Sequence, residues 1–104
     1  MKNKDWEKEI LEEIKDKIAR SYLNLMSFSR KGLIEQLVHE GCSIESAEYT
    51  VDNIGVDWEQ QCVRSARSYL NLMSFSRNEL YDQLADEGFT DKQIQYGLSQ
   101  VGYW

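Results

Sequence analysis

The sequence predicts an all-α protein: a tandem repeat of two three-helix units of the helix-turn-helix kind. Three observations carry that expectation. The 104 residues include no proline and are 29% charged, a composition suited to helices joined by short turns. Apolar residues recur at i, i+3, i+4 and i+7, the spacing that gathers them on one helical face. The twelve residues ARSYLNLMSFSR also occur twice, at Ala19–Arg30 and Ala66–Arg77. A shift of 47 residues lays Ala19–Gly55 over Ala66–Gly102 without a gap, with 19 of 37 positions identical. Periods of this length are typical of stacked helical repeats.

Each element follows in order. The first helix is expected over 5–26, with Ala19, Tyr22, Leu23 and Met26 on its inward face. Trp6, Ile10, Leu11 and Ile14 lengthen it to roughly 33 Å at 1.5 Å per residue. Under the repeat shift Ile10, Leu11 and Ile14 stand opposite Asp57, Trp58 and Gln61. The added apolar residues either pack on the other unit or stay exposed as a docking patch. Ser29 is placed to cap a second helix over 30–40, and Phe28 and Leu33 have the spacing of a hydrophobic staple. Gly41 ends that helix. Ser43 opens the third, 44–54, which turns Ala47, Val51 and Ile54 inward and stops at Gly55.

The second unit repeats this grammar. Asp57 caps a fourth helix over 58–73, whose stripe is Trp58, Cys62, Ala66, Tyr69 and Met73. Ser76 caps the fifth, 77–87, with Phe75 and Leu80 as the staple. Glu79 completes a capping box there, which the first copy forgoes because Gly32 holds the matching position. After Gly88, Thr90 and Gln93 form a second box and open the sixth helix, 91–101, with Ile94, Leu98 and Val101 inward. The chain divides into an extension over 1–18, a first unit over 19–56 and a second over 57–104. The duplicated dodecamer thus encodes a helix end, a corner, a cap and a staple. Those roles do not require the polar Arg20, Ser21 and Asn24, which either meet each other between units or belong to a binding surface.

Net charge is -6 with a pI near 4.7, which repels nucleic acid and anionic lipid and favours basic partners. The charge is uneven. Residues 1–31 carry eight Lys/Arg against six Asp/Glu, residues 32–63 seven acids and no base, and residues 64–104 four bases against five acids. The candidate partner-binding face is therefore Glu35, Glu40, Glu45, Glu48, Asp52, Asp57 and Glu59, extended by Asp82, Asp86, Glu87 and Asp91. The alternative reading of the same residues is a solvated surface with no partner.

No catalytic residue, cofactor or metal is expected. His39 and Cys42 have ligand-like spacing, yet only Cys62 could join them, which leaves zinc without its usual fourth ligand. The glycines sit mostly at helix stops and not in a phosphate loop. Both cysteines read as free, buried thiols, with a disulfide as the alternative. DNA binding by a helix-turn-helix is disfavoured, because the third helix has three acids and no base, and the sixth is nearly neutral. No stretch approaches the ~20 apolar residues of a membrane span.

One longer pattern is specific. Ala19, Tyr22, Leu23, Met26–Arg30, Leu33, Ile34, Gln36, Leu37, Glu40, Gly41, Ser43, Ala47, Tyr49, Val51–Asn53, Asp57 and Trp58 together resemble the host-cell surface-exposed lipoprotein (Ltp) repeat. The second copy retains the pattern through Gly88, Phe89 and Tyr96, but has Gly-Leu-Ser-Gln where the first has Thr-Val-Asp-Asn. The resemblance implies a bacterial or prophage protein held outside the cytoplasmic membrane by a lipidated N-terminal cysteine. Phage-encoded members are implicated in superinfection exclusion, in which a resident prophage blocks DNA delivery by a related phage. The partner so implied is the incoming tape measure protein, or another basic amphipathic segment, and the membrane is met only through the anchor. This chain shows neither signal sequence nor lipobox cysteine, and MKNKDWEKE is similar to the polar linker that follows an anchor. It is expected to be the soluble part of such a protein. The competing expectation is a structural or adhesive surface module with no role against phage.

Overall fold

The computed structural model describes the backbone of residues 5–103 and the side chains of residues 9–103. Among the described residues it has six helices and no strand. They are α1 (Asp5–Leu25), α2 (Arg30–His39), α3 (Ile44–Asn53), α4 (Trp58–Leu72), α5 (Arg77–Asp86) and α6 (Asp91–Gln100). Each ends one residue before its expected end, because residues such as Glu40 and Glu87 are C-caps and no longer part of the helical ladder. The side chain of Trp6 and the MKNK opening lie outside the described residues.

The predicted caps form. Ser29, Ser43 and Asp57 accept the backbone N–H of Gly32, Ser46 and Gln60 at 2.9, 3.1 and 3.1 Å. The boxes of Ser76 with Glu79 and of Thr90 with Gln93 are both reciprocal. At the corners that follow α2 and α5, Gly41 and Gly88 adopt φ of +112° and +104°. Cys42 N–H then reaches back to the Leu37 carbonyl at 3.0 Å and Phe89 N–H to the Leu84 carbonyl at 3.3 Å, closing the helix ends.

Each unit has its own core. Leu33, Leu37, Ala47 and Val51 centre the first; Leu80, Leu84, Ile94 and Leu98 centre the second. The two corners are built alike, with Tyr22 edge-on to Phe28 at 6.0 Å and Tyr69 edge-on to Phe75 at 5.8 Å.

Four side chains differ from expectation. Met26 and Met73, read as inward, are 57% and 61% exposed. The helices stop just before them, and the extended backbone of Met73 (φ -165°) turns its side chain outward. Trp58 and the neighbouring Val56 pack against the first core, so the opening residue of α4 ties the two units together. Cys42 is half-buried where burial was expected; Cys62 is fully buried, and burial pushes its thiol up to about 12. Both cysteines are free.

Among the described residues, the α4–α6 contact is more extensive than its counterpart α1–α3. A Cβ at Gly97 would stand 2.9 Å from Cys62 Sγ, so glycine lets the two helices approach. Under the repeat shift those positions are Lys15 and Thr50 in the first unit. There Lys15 Nζ donates to Ser46 Oγ at 2.5 Å, while the buried hydroxyl of Thr50 has no partner among the described residues. The described part of α1 keeps Ile10, Leu11 and Ile14 about half exposed, so they are not buried against the other unit.

Candidate partner-binding surface

The dodecamer's first copy is consumed by the seam between the units. The corner joining α1 to α2 rests on α4 and the end of α5, and four of its polar groups are satisfied there, three by α4 and one by Glu87. Arg64 donates to the Leu23 carbonyl at 2.9 Å, and Phe28 N–H donates to Gln61 Oε1 at 3.0 Å. The hydroxyls of Ser27 and Ser65 share a hydrogen bond at 2.6 Å. Ser29, which caps α2, also donates its hydroxyl to the Glu87 carbonyl at 2.5 Å. Ser29 is only 1% exposed as a result. The fit explains a sequence difference. A Cβ at Gly32 would lie 3.8 Å from the Glu87 carbonyl oxygen, so a glutamate there, as at position 79, would push a carboxylate into a seam of acceptors.

Among the described residues, no counterpart of α4 rests on the second copy. Met73, Ser74 and Ser76 are exposed, and beside them runs an open groove of about 360 Å³. Met73 and Phe75 form its apolar wall, and Glu79, Asp82 and Asp86 its acidic rim. A second cleft, about 530 Å³, opens at the seam between Leu25, Met26 and Phe28 on one side and Arg64, Tyr69 and Leu72 on the other. Leu25 and Leu72, equivalent residues of the two copies, are 81% and 80% exposed. Arg20, Ser21 and Asn24 also face solvent and take no part in the hydrogen bonds across the seam.

The eleven acidic positions separate into two sets. Five are tied into the fold. Arg30 donates to both oxygens of Asp52 at 2.7 and 2.8 Å, which holds that carboxyl below the usual carboxylate range. Tyr22 donates to Glu40, and Tyr81 to Asp91 at 2.6 Å, the latter bond lowering the Asp91 carboxyl. Glu87 accepts from Tyr69 and Ser65; burial, then this bond to Glu87, pushes the Tyr69 phenol up to about 12. Asp57 caps α4. The other six are Glu35, Glu45, Glu48, Glu59, Asp82 and Asp86, and all but the half-buried Glu59 are exposed. Glu45, Glu48 and Asp52 share one face of α3 through their i, i+3, i+7 spacing. Asp82 and Asp86 join Glu79 on the rim of the groove.

Sequence reasoning took Glu79 only as a capping residue and passed over Leu25 and Leu72. Signals for both were present: Glu79 replaces Gly32 between the copies, and neither leucine belongs to the inward stripe. Among the described residues no group of His, Cys, Asp and Glu is arranged to hold a metal ion, and no helix is long and apolar enough to cross a membrane.

Comparison with known proteins places this architecture. The family model for host cell surface-exposed lipoproteins, Lipoprotein_Ltp, matches residues 5–54 and 57–101. No curated protein matches. Among solved structures, the chain is similar to Ltp, a superinfection exclusion protein from the Streptococcus thermophilus temperate phage TP-J34. The two are 27% identical, the match covers 85% of this chain and 92% of that one, and the TM-score is 0.79. With almost its whole length matched in two successive segments, this chain belongs to the host cell surface-exposed lipoprotein (Ltp) family.

Proposed function

We propose that the chain acts in superinfection exclusion, held by an N-terminal lipid anchor at the outer face of the bacterial cytoplasmic membrane. There it binds an incoming phage protein and stops DNA entry. The likeness to the TP-J34 exclusion protein, across nearly the full length of both chains, carries this reading. The surface supports binding: exposed carboxylates stand beside apolar side chains, as along the groove where Glu79, Asp82 and Asp86 face the exposed Met73 and the half-buried Phe75. A basic amphipathic segment matches such a surface. The tape measure protein, which reaches the membrane during injection, is the partner proposed. Electrostatic attraction speeds encounter and selects the partner, and apolar contact lengthens its stay.

The test is to express the chain behind a lipoprotein signal and challenge the cells with phage, scoring adsorption and DNA entry separately. Normal adsorption with blocked entry is expected; unhindered entry overturns the proposal. A second arm reverses Glu45, Glu48 and Asp52 to Lys. That variant keeps its fold, because the Arg30–Asp52 pair is half exposed and worth little to stability. It should lose protection, whereas full protection would remove α3 from the binding face.

A further inference from the structure

We infer that the open corner of the second unit, Leu70–Arg77, receives a partner α-helix in the manner in which the first corner receives α4, and that this helix is basic. The inference rests on the proposed capture of a basic segment and specifies its place and binding mode. The seam is a heterologous interface: a corner on one unit meets a helix face on the next, so among the described residues no helix covers the second corner, whose Phe75 carbonyl accepts only from Tyr103 at 2.7 Å. At the first corner a carbonyl, a hydroxyl, an N–H and a second hydroxyl are met by Arg64, Ser65, Gln61 and the Glu87 carbonyl. The same four groups recur at Leu70, Ser74, Phe75 and Ser76 in an identical sequence, and here Ser74 and Ser76 face solvent.

A second copy of this chain is a poor occupant. Where α4 presents Gln61 and Ser65, α1 presents Ile14 and Ile18. Docking on it would leave the Phe75 N–H and the Ser74 hydroxyl buried without partners, which is costly. A copy would also bring Glu40, the counterpart of Glu87, towards Glu79.

Charge narrows the choice of partner. Lys31, Gly32 and His39 beside the first corner become Asn78, Glu79 and Asp86 beside the second. The helix that fits presents Gln or Asn, Arg, and Ser at i, i+3 and i+4 towards the corner, as α4 does with Gln61, Arg64 and Ser65, and carries lysines over Glu79, Asp82 and Asp86.

The experiment uses the isotope-labelled full chain at low salt and two synthetic alanine-lysine helical peptides of about four turns. One carries Gln, Arg and Ser at i, i+3 and i+4. The other has the same composition with those residues on different faces. The patterned peptide should bind at least ~10-fold more tightly, the effect of satisfying one or two buried polar groups. Its amide shifts should fall within Leu70–Asp86. The variant Glu79→Gly/Asp82→Asn/Asp86→Asn should weaken both peptides. Equal affinity of the two peptides, shifts centred on α3, or an unaffected triple variant overturns the docking mode and leaves capture of a basic segment standing. Binding of neither peptide overturns both.

Discussion

Two stretches of this molecule share twelve consecutive residues and little of their surroundings. In the first, Ser29 is buried, bonded to the second unit and followed by a glycine at its N3 position. In the second, Ser76 is exposed, bonded within its own capping box and followed by Glu79 at the same place. Local structure is set by the shared residues, which is why the two corners superpose in kind, cap for cap and ring for ring. Environment is set by residues outside the block: Gln61, Arg64 and Ser65 on the far side of the seam, and Gly32 against Glu79 within it. A repeated sequence therefore specifies a repeated shape, while the unrepeated neighbours decide which copy builds the protein and which is left to meet a partner.

The largest contrast is expected at the glycines after α2 and α5. Gly41→Ala and Gly88→Ala both force an alanine into positive φ, at about 1–2 kcal/mol. At Gly88 the new Cβ would also lie 2.9 Å from Lys31 Cβ, whereas nothing stands within 4 Å at Gly41. Overpacking adds about 1–3 kcal/mol there. Denaturant unfolding of the two variants should place Gly88→Ala clearly below Gly41→Ala, and equal losses would mean that the seam is not closely packed.

A smaller difference is expected between the cap serines. Ser76→Ala loses a cap, about 1 kcal/mol. Ser29→Ala loses the same cap and also strips the Glu87 carbonyl of its donor, adding roughly another 1 kcal/mol. Paired melting curves would sharpen the comparison, since the excess measures what the seam adds to an otherwise identical corner.

Smallest in effect is an alkaline one. The folded state holds Tyr69 neutral up to about 12, above the ordinary phenol value near ~10, so its folded pKa is raised. The stability tied to that neutral phenol is fully present below about pH 10 and is lost as pH rises towards 12. Tyr69→Phe should flatten the stability profile in that window. The fully buried Cys62, also raised to about 12, contributes a parallel loss that survives in the Phe variant and is removed by Cys62→Ala.

Much of the fold was legible because its signals are local. Caps, staples and helix-ending glycines act within a few residues, so element order, boundaries and the two boxes could be read directly. The errors lie where the chain leaves a helix or meets another unit. Met26 and Met73 continue the inward periodicity, but the helix has ended by then and the period no longer applies. Trp58 fits the α4 stripe on paper and packs into the other core because the units touch there. The acidic face was legible as composition only. Which carboxylates were held by Arg30, Tyr22, Tyr69 and Tyr81 depended on contacts 10 to 22 residues away in sequence, which helical period does not encode.

The asymmetry between the copies can be measured directly by residue-resolved amide exchange at Phe28 and Phe75 in the free protein. Phe28 N–H is bonded to Gln61 inside the seam, and among the described residues Phe75 N–H has no counterpart to Gln61 opposite it. The account predicts strong protection at Phe28 and exchange close to the unprotected rate at Phe75. Equal protection at the two positions would contradict it, because both corners would then be equally engaged.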